Sequence, residues 1–376
     1  MADRALSLFF LVFFSLYGAI NVYLGSWLFR ALASSRGLRP AGALFVLVAA
    51  AYPAGRLLSR SLPGPAGALL RLGNLYLAFM ATAFAVAVAA EAVLFAARLF
   101  GIRPSTEALR RAVLFASLLV VAVTAAGAVA ARFPQVRVID LELPRLDGAG
   151  REMTVAFASD LHAGTVIHNA RLAAMVDLIA GLDADLILLG GDLVDRSVTE
   201  AVEEDLSGEL ARLKAPLGVF SVAGNHEYYA GLEAATAHIE KGGVTVLLDE
   251  ARAVADTVLV VGRHDVQAPR FGFDRRPLAE LTAPLGGRLP VIVVDHTPRD
   301  LAEAASAGAA LQLSGHTHRG QLWPFNLLTE ALFEIAYGPG QKDETWIYVS
   351  SGLGTWGPPV RTSGRPEVIL FRLRFR

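Results

Sequence analysis

The chain has 376 residues, room for two or three domains at roughly 150 residues each, with 54% hydrophobic and 18% charged residues and a mean hydropathy of +0.46. That balance excludes a wholly soluble globule, a disordered chain and a collagen-like fibre. Charge is split along the chain. Residues 1–132 carry twelve Arg against Asp3, Glu91 and Glu107, net +9, whereas the remaining 244 residues carry 22 Lys and Arg against 32 Asp and Glu, net −10. The absence of Cys excludes disulfides, thiolate metal sites and a Cys nucleophile.

Four apolar segments precede residue 133, at 5–29, 41–54, 75–97 and 112–131. A helix needs about 20 apolar residues to cross the hydrocarbon core, which makes the second segment short. Four spans are expected, with three as the fallback. The first segment is too long, and lacks a small-residue cleavage site, to be a removable signal peptide. Pro53, Pro63, Gly64, Pro65 and Gly67 mark the break between the second and third spans. The expected division is a transmembrane domain at 1–132 and a water-compatible domain at 133–376. An even number of spans puts the N-terminus and the large domain on one side. Six Arg then flank the spans on that side and seven on the other, leaning to an extracytoplasmic large domain without settling the side.

From residue 136 the apolar period becomes two. Strands are expected at 136–144 and 154–159 around a turn at Asp147-Gly148-Ala149-Gly150, so that the domain opens with a hairpin. Further strands are expected at 186–189, 217–222, 258–261, 291–294, 311–313, 346–349 and 368–373. Helices are expected at 169–181, 198–213, 232–242, 277–283 and 299–307. The alternation means α/β. The many short strands near the C-terminus fit two packed sheets with helices on both faces better than one doubly wound sheet.

Five polar blocks each follow a predicted strand: Ser159-Asp160-Leu161-His162, Gly191-Asp192-Leu193-Val194-Asp195-Arg196, Gly224-Asn225-His226-Glu227, Asp295-His296-Thr297-Pro298 and Gly315-His316-Thr317-His318. Each alone has an ordinary explanation, such as a chance Asp-x-His or a helix-capping turn. All five in this order do not. Loops at the carboxyl ends of buried strands are where α/β folds build sites. Asp160, His162, Asp192, Asn225, His296, His316 and His318 supply four imidazoles, two carboxylates and one amide oxygen. Since one divalent ion takes about four to six ligands, seven ligands and water suit two ions sharing one carboxylate. Mixed His and carboxylate donors without sulfur point to Mn, Fe or Zn. A two-metal centre supports in-line displacement at phosphorus, with hydroxide available from a bridging water near neutral pH.

These blocks resemble the calcineurin-like metallophosphoesterase superfamily, and more narrowly its membrane-attached bacterial branch. Supporting details are Gly320-Gln321 and the stretch Ser351-Gly352-Leu353-Gly354-Thr355 with Pro358, Pro359 and Arg361. The resemblance covers roughly residues 136–372. It implies a four-layer α/β/β/α sandwich of the metallophosphoesterase type behind an N-terminal α-helical transmembrane domain, in a bacterial inner-membrane protein. By resemblance, Asp160, His162 and His318 hold a first ion, Asn225, His296 and His316 a second, and Asp192 bridges them. His226 resembles the histidine that contacts the phosphoryl oxygen or protonates the leaving group, with Asp195 orienting it. Departures are Arg319 after Gly-His-Thr-His, Ser197 after Arg196, and Ser351 in place of an Arg. Phosphate contacts are accordingly expected from Arg196, Arg319 or Arg361.

The expected function is a membrane-integrated phosphodiesterase or pyrophosphatase acting on a lipid-linked or other amphiphilic phosphoester. An apolar run after the last histidine, from Leu322 to Tyr337, either admits acyl chains, docks on the bilayer or packs against the membrane helices. The alternatives are a small soluble diester as substrate, or a non-enzymatic membrane sensor. Nucleic acid is not an expected partner, since the domain is acidic. Oligomeric state is left open. His168, His238 and His264 are expected to be surface or satisfied histidines.

Overall fold

A computed structural model describes residues 2–32, 38–59, 61–144, 151–283 and 287–376. The chain forms two units, Met1–Val129 with Gly357–Thr362, and Ala130–Trp356 with Ser363–Arg376. Sequence patterning carried no sign that the segment 357–362 groups with the helices.

The first unit contains α1 (Ala2–Leu32), α2 (Leu38–Leu58), α3 (Pro63–Leu99) and α4 (Thr106–Ala130). All four are long and apolar enough to cross a membrane, over Leu11–Phe29, Pro40–Leu58, Gly64–Leu99 and Thr106–Ala130. The second span is longer than its apolar run because the helix continues through Pro53. Pro63 opens α3, where its missing N–H costs nothing. Inside hydrocarbon a polar group must find a partner within the protein. The Tyr17 hydroxyl donates to the Ala49 carbonyl at 2.5 Å, the Tyr76 hydroxyl donates to Asn21 Oδ1, and Asn21 Nδ2 donates to the Tyr17 carbonyl at 2.8 Å. A Cβ at Gly73 would lie 2.5 Å from Tyr52 Cα, so α2 and α3 touch backbone to backbone, the close approach that small residues permit. The first unit is a membrane-spanning bundle, and the chain is an integral membrane protein.

The second unit runs β1 (Gln135–Leu143), β2 (Arg151–Ala158), α5 (Asn169–Ala180), β3 (Leu186–Leu189), α6 (Val198–Glu203), α7 (Leu206–Leu210), β4 (Val219–Ser221), α8 (Asn225–Ala230), α9 (Leu232–Lys241) and β5 (Thr245–Val246). It continues with β6 (Glu250–Val254), β7 (Val258–Gly262), α10 (Leu278–Thr282), β8 (Val291–Val294), α11 (Leu301–Ser306), β9 (Leu311–Ser314), α12 (Phe325–Leu332), β10 (Gly338–Lys342), β11 (Thr345–Val349) and β12 (Glu367–Phe375). Two six-stranded sheets result, ordered β1-β12-β2-β3-β4-β5 and β10-β11-β9-β8-β7-β6. Phe157, Leu188 and Phe371 of the first sheet meet Val260, Ile292 and Leu313 of the second in a shared core. The other face of the first sheet packs on α5, α7 and α9 through Met175, Leu210 and Ile239. The second sheet carries α10 and α11 through Leu278, Leu281 and Ala304. These are the four layers α/β/β/α that the resemblance implies.

Two expectations change. The opening hairpin does not form, because β12 lies between β1 and β2, parallel to the first and antiparallel to the second. The C-terminal strand is buried along most of its length, so it gains more from two neighbours than the alternately exposed β1 could offer it. The expected turn at 147–150 lies outside the described residues. The single helix expected at 198–213 is two helices, broken where Asp205 takes a left-handed φ of 53°.

Behind the second sheet, Arg263 is buried and pairs with Asp249 at 3.3 Å and Glu303 at 3.1 Å, while also donating to the Arg276 carbonyl at 2.9 Å. Burial disfavours the Glu303 charge, but the Leu278 N–H and the Arg263 guanidinium outweigh it and hold its carboxyl below the ordinary 4.5. Arg263→Met would leave the buried Asp249 without its cation, a loss of about 3 kcal/mol. We expect a markedly lower melting temperature for the detergent-solubilised variant at neutral pH. Because the folded-state pKa of Glu303 is depressed, its share of stability is present above 4.5 and is lost as pH falls, so the gap between variant and parent should narrow in acid. An unchanged melting temperature would show that the pair is dispensable.

Candidate metal centre

The five polar blocks follow β2, β3, β4, β8 and β9, all running the same way within their sheets. Backbone bonds lace these loops together: Asp160 N–H donates to Gly191, His162 N–H to Asp192, and Gly315 N–H to His296, at 2.9–3.0 Å. Asp160, His162, Asp192, His316 and His318 all have left-handed backbones, with φ of 58°, 52°, 54°, 68° and 48°. Each such residue costs of order 1 kcal/mol without a glycine. Five together mark a place where aim takes precedence over backbone comfort. Glycine supplies the room around them: a Cβ at Gly315 would collide with Asp160 Oδ2, and one at Gly224 with Asp192 Oδ1.

The side chains gather in groups whose donor atoms lie within 4.8 Å of one another: Asp160, His162 and His318; Asp192, His296 and His316; and His162, Asp195 and His226. In the first, His162 Nε2 and His318 Nε2 are 3.0 Å apart and His318 Nε2 is 3.3 Å from Asp160 Oδ1. In the second, His296 Nε2 is 3.1 Å from Asp192 Oδ2, and Asn225 Oδ1 is 2.8 Å from His316 Nδ1. Two donors about 2.1 Å from one ion at right angles lie about 3.0 Å apart, so these separations suit shared coordination. Asp192 stands between the groups. Its Oδ1 accepts the His226 N–H at 2.9 Å, while its Oδ2 is 3.1 Å from His296 Nε2 and 3.8 Å from His162 Nε2.

The donor chemistry asks for a cation. His296 Nδ1 lies 2.7 Å from the Gly190 carbonyl, which can only accept, so the proton sits on Nδ1. In the neutral ring the Nε2 lone pair then faces the Asp192 carboxylate. His162 Nδ1 is 3.5 Å from Asp195 Oδ1, which likewise directs its Nε2 inward, the carboxylate–histidine arrangement of metal sites. Among the described residues, Asp160, Asp192 and Asp195 form their ion pairs with histidines. Burial opposes charge on His296, yet the Asp192 carboxylate holds it well above the ordinary imidazole value. Burial likewise opposes the charge on Asp192, yet His296 and His226 hold its carboxyl well below the ordinary range. The residues present fit divalent cations.

His226 and Asp195 meet differently from expectation. His226 Nδ1 bonds to the backbone carbonyl of Asp195, and the Asp195 carboxylate is nearer His162 Nδ1, at 3.5 Å, than His226 Nδ1, at 3.7 Å. Of the expected phosphate contacts, half-buried Arg196 directly follows Asp195. The Arg319 guanidinium lies over the Tyr337 ring, 4.4 Å from its centroid. Arg361 is buried in the first unit, where its N–H donates to the Gly127 carbonyl at 3.0 Å. Ser351 is committed elsewhere, its hydroxyl donating to the Arg365 carbonyl at 2.9 Å. Of the other histidines, His168 precedes α5, His238 is buried in α9, and His264 Nδ1 lies 2.5 Å from the Tyr228 hydroxyl.

Sequence reasoning missed Glu227, Tyr229, Gln321 and Trp356. The Glu227 carboxylate is fully buried and accepts four backbone N–H groups, from Asp192, Leu193, Val194 and Gly224, at 2.8–2.9 Å. Burial and the Asp192 charge push its pKa up to about 7, against the pull of the N–H donors. Its position three residues after Gly224, the capping-box spacing, was the available signal. Tyr229 and Trp356 are exposed, with ring centroids 5.6 and 6.3 Å from that of His226. Gln321 holds Trp356 by two bonds, donating to its carbonyl at 2.9 Å and accepting its N–H at 3.0 Å. Glu227→Gln would turn an amide NH₂ towards two of the four donors, a loss of about 3 kcal/mol. A fall in thermal stability of that size is expected, and an unaltered melting curve would remove Glu227 from the frame of the site.

Residues 153–320 match the family described as calcineurin-like phosphoesterase. An uncharacterized metallophosphoesterase of Helicobacter pylori is 31% identical over 242 residues, covering 64% of this chain and 64% of that relative, so the chain spans under two thirds of its length. An uncharacterized metallophosphoesterase of Aquifex aeolicus is 32% identical, over 60% of this chain and 86% of the relative. A zebrafish (Danio rerio) transmembrane protein with metallophosphoesterase domain is 29% identical, over 62% of this chain and 56% of the relative. With the ordered motifs, the four layers and these relatives together, the chain belongs to the calcineurin-like phosphoesterase family.

Proposed function

We propose that this protein is a membrane-integrated, dimetal phosphoesterase, and that its substrate is an amphiphilic phosphodiester or pyrophosphate such as a lipid-linked one. The observation that carries the reading is the placing of Asp192, with one oxygen fixed by the His226 N–H and the other facing both histidine groups. Asp160, His162 and His318 would hold one ion, Asn225, His296 and His316 the other, and Asp192 both. When bound, two divalent ions polarise phosphoryl oxygens and make a nucleophile available near neutral pH; Mn, Fe and Zn suit the donor set.

The chain's own residues do the rest. His226 Nδ1 is engaged by the Asp195 carbonyl, so in the imidazolium the second proton sits on Nε2, which faces the site 4.0 Å from Asp192 Oδ2. From there it can pass to the leaving oxygen as the P–O bond breaks. Asp195 acts as a positioning residue for two rings, through its carbonyl to His226 and its carboxylate to His162. Exposed Tyr229 and Trp356 beside His226, and Phe333 with its ring centroid 6.0 Å from that of His316, offer apolar contact to a substrate with an aglycone or acyl part. The acidity of the second unit disfavours a nucleic-acid backbone. The bacterial inner membrane is the proposed location, with the second unit on its outer side by the Arg balance.

In detergent micelles with Mn²⁺, a chromogenic phosphodiester should turn over faster than its monoester. Asp192→Asn should remove turnover by at least about a hundredfold. His226→Ala should lower kcat by about 10²–10³, and by more on a diester with a poor leaving group than on a nitrophenyl diester. Equal losses on both would take the acid role from His226, and a fully active Asp192→Asn would end the dimetal reading.

A further inference from the structure

The helix α12 is built inside out for a soluble domain. At about 3.6 residues per turn, Phe325, Leu327, Leu328, Ala331 and Leu332 occupy one arc of roughly 160°, and Asn326, Thr329 and Glu330 the other. A surface helix of a water-soluble domain buries the first arc. Here every apolar member is exposed, with Leu328 at 55% and Leu332 at 59%, whereas Asn326 and Thr329 are half-buried. On the polar arc the Asn326 backbone sits against Gly320, where a Cβ would collide with it, while Glu330 at the arc's edge is exposed. Trp323, just before the helix, is 50% exposed and extends the same run. Five large apolar side chains are thus presented to solvent within ten residues, a density that marks an interaction surface.

We infer that α12 with Trp323 is an interfacial membrane anchor, lying with its apolar arc in the lipid headgroup and upper acyl region. Lipid is the occupant to which the chain commits this domain. Its first unit spans a bilayer, and only residues 131–134 join α4 to β1. An outward apolar arc with a Trp at the helix start is the composition of interfacial helices. The anchor begins at Trp323, five residues after His318, and Phe333 at its end packs beside His316, so the proposed metal centre would open at the lipid surface. The inference concerns location and stands whether or not the substrate is a lipid.

The chain has no Cys, so single-Cys variants can be spin-labelled directly. The full chain, reconstituted into phosphatidylcholine–phosphatidylglycerol vesicles, would carry a nitroxide at Leu328→Cys, Leu332→Cys, Glu330→Cys or, as an aqueous reference on α9, Glu233→Cys. Collision with oxygen relative to a water-soluble nickel chelate should be at least about threefold higher at 328 and 332 than at 330 and 233. Ratios at 328 and 332 equal to that at 233 would overturn the inference. So would immobilised labels shielded from both collision partners, which would mean that the chain's own helices or a second copy cover the arc. A second measurement needs no label: quenching by brominated lipid should lose a component in Trp323→Phe, and undiminished quenching would count against the anchor. Neither readout involves turnover, so failure here and failure of the proposed hydrolysis are separable.

Discussion

A set of buried carboxylates facing buried imidazoles is the constraint around which the second unit is arranged. Asp160, Asp192 and Asp195 are taken out of water at the ends of β2 and β3, where among the described residues their carboxylates form ion pairs with histidines. An uncompensated buried charge costs several kcal/mol. The arrangement therefore makes sense as a receptor for positive charge, with Glu227 gathering the N–H groups of the Asp192 loop so that the carboxylate is held from behind. The left-handed backbones of five proposed ligands are the local cost of that aim, and the rigid strands beneath supply the stability that offsets it.

The two sheets make this possible by bringing five strand ends into one place. β2, β3 and β4 deliver the carboxylates, Asn225 and His226, while β8 and β9 deliver His296, His316 and His318. Asp295, next to His296, is clamped by Arg275 at 2.7 Å, and Thr297, on its other side, donates to Asp265 at 2.6 Å. The His296 loop is thereby fixed by charge pairing as the Asp192 loop is by Glu227. Tyr229 and Trp356 stand beside His226, and Gln321 ties Trp356 to the segment that follows His318.

Much of this could be read from residue order. Short apolar runs such as 186–189 and 291–294 coincide with β3 and β8, because a strand buried on both faces announces itself by composition alone. The ligand residues stood out because their types and order are chemically restrictive. What escaped was long-range or geometric. No local pattern says that β12 returns to separate β1 from β2, since strand pairing is decided by tertiary competition. The short β5, β6 and β10 and the short helices α8 and α12 carried too little periodicity to find. The role of Asp195 divided between its carbonyl and its carboxylate because a spacing of residues fixes which side chains meet but not which atom of each does. The apolar run after His318 was visible; that it forms a helix whose apolar arc is exposed was not, because an apolar composition does not say which residues are buried.

Asp192 is proposed to join two metal ions in one site. Electron paramagnetic resonance of the full chain loaded with Mn²⁺ in detergent tests it most directly, alongside elemental analysis of the same sample. Two ions per chain and the spectrum of a spin-coupled pair are expected, which Asp192→Asn should convert to that of isolated ions. Saturation at one ion per chain with the hyperfine pattern of a lone Mn²⁺ would contradict it.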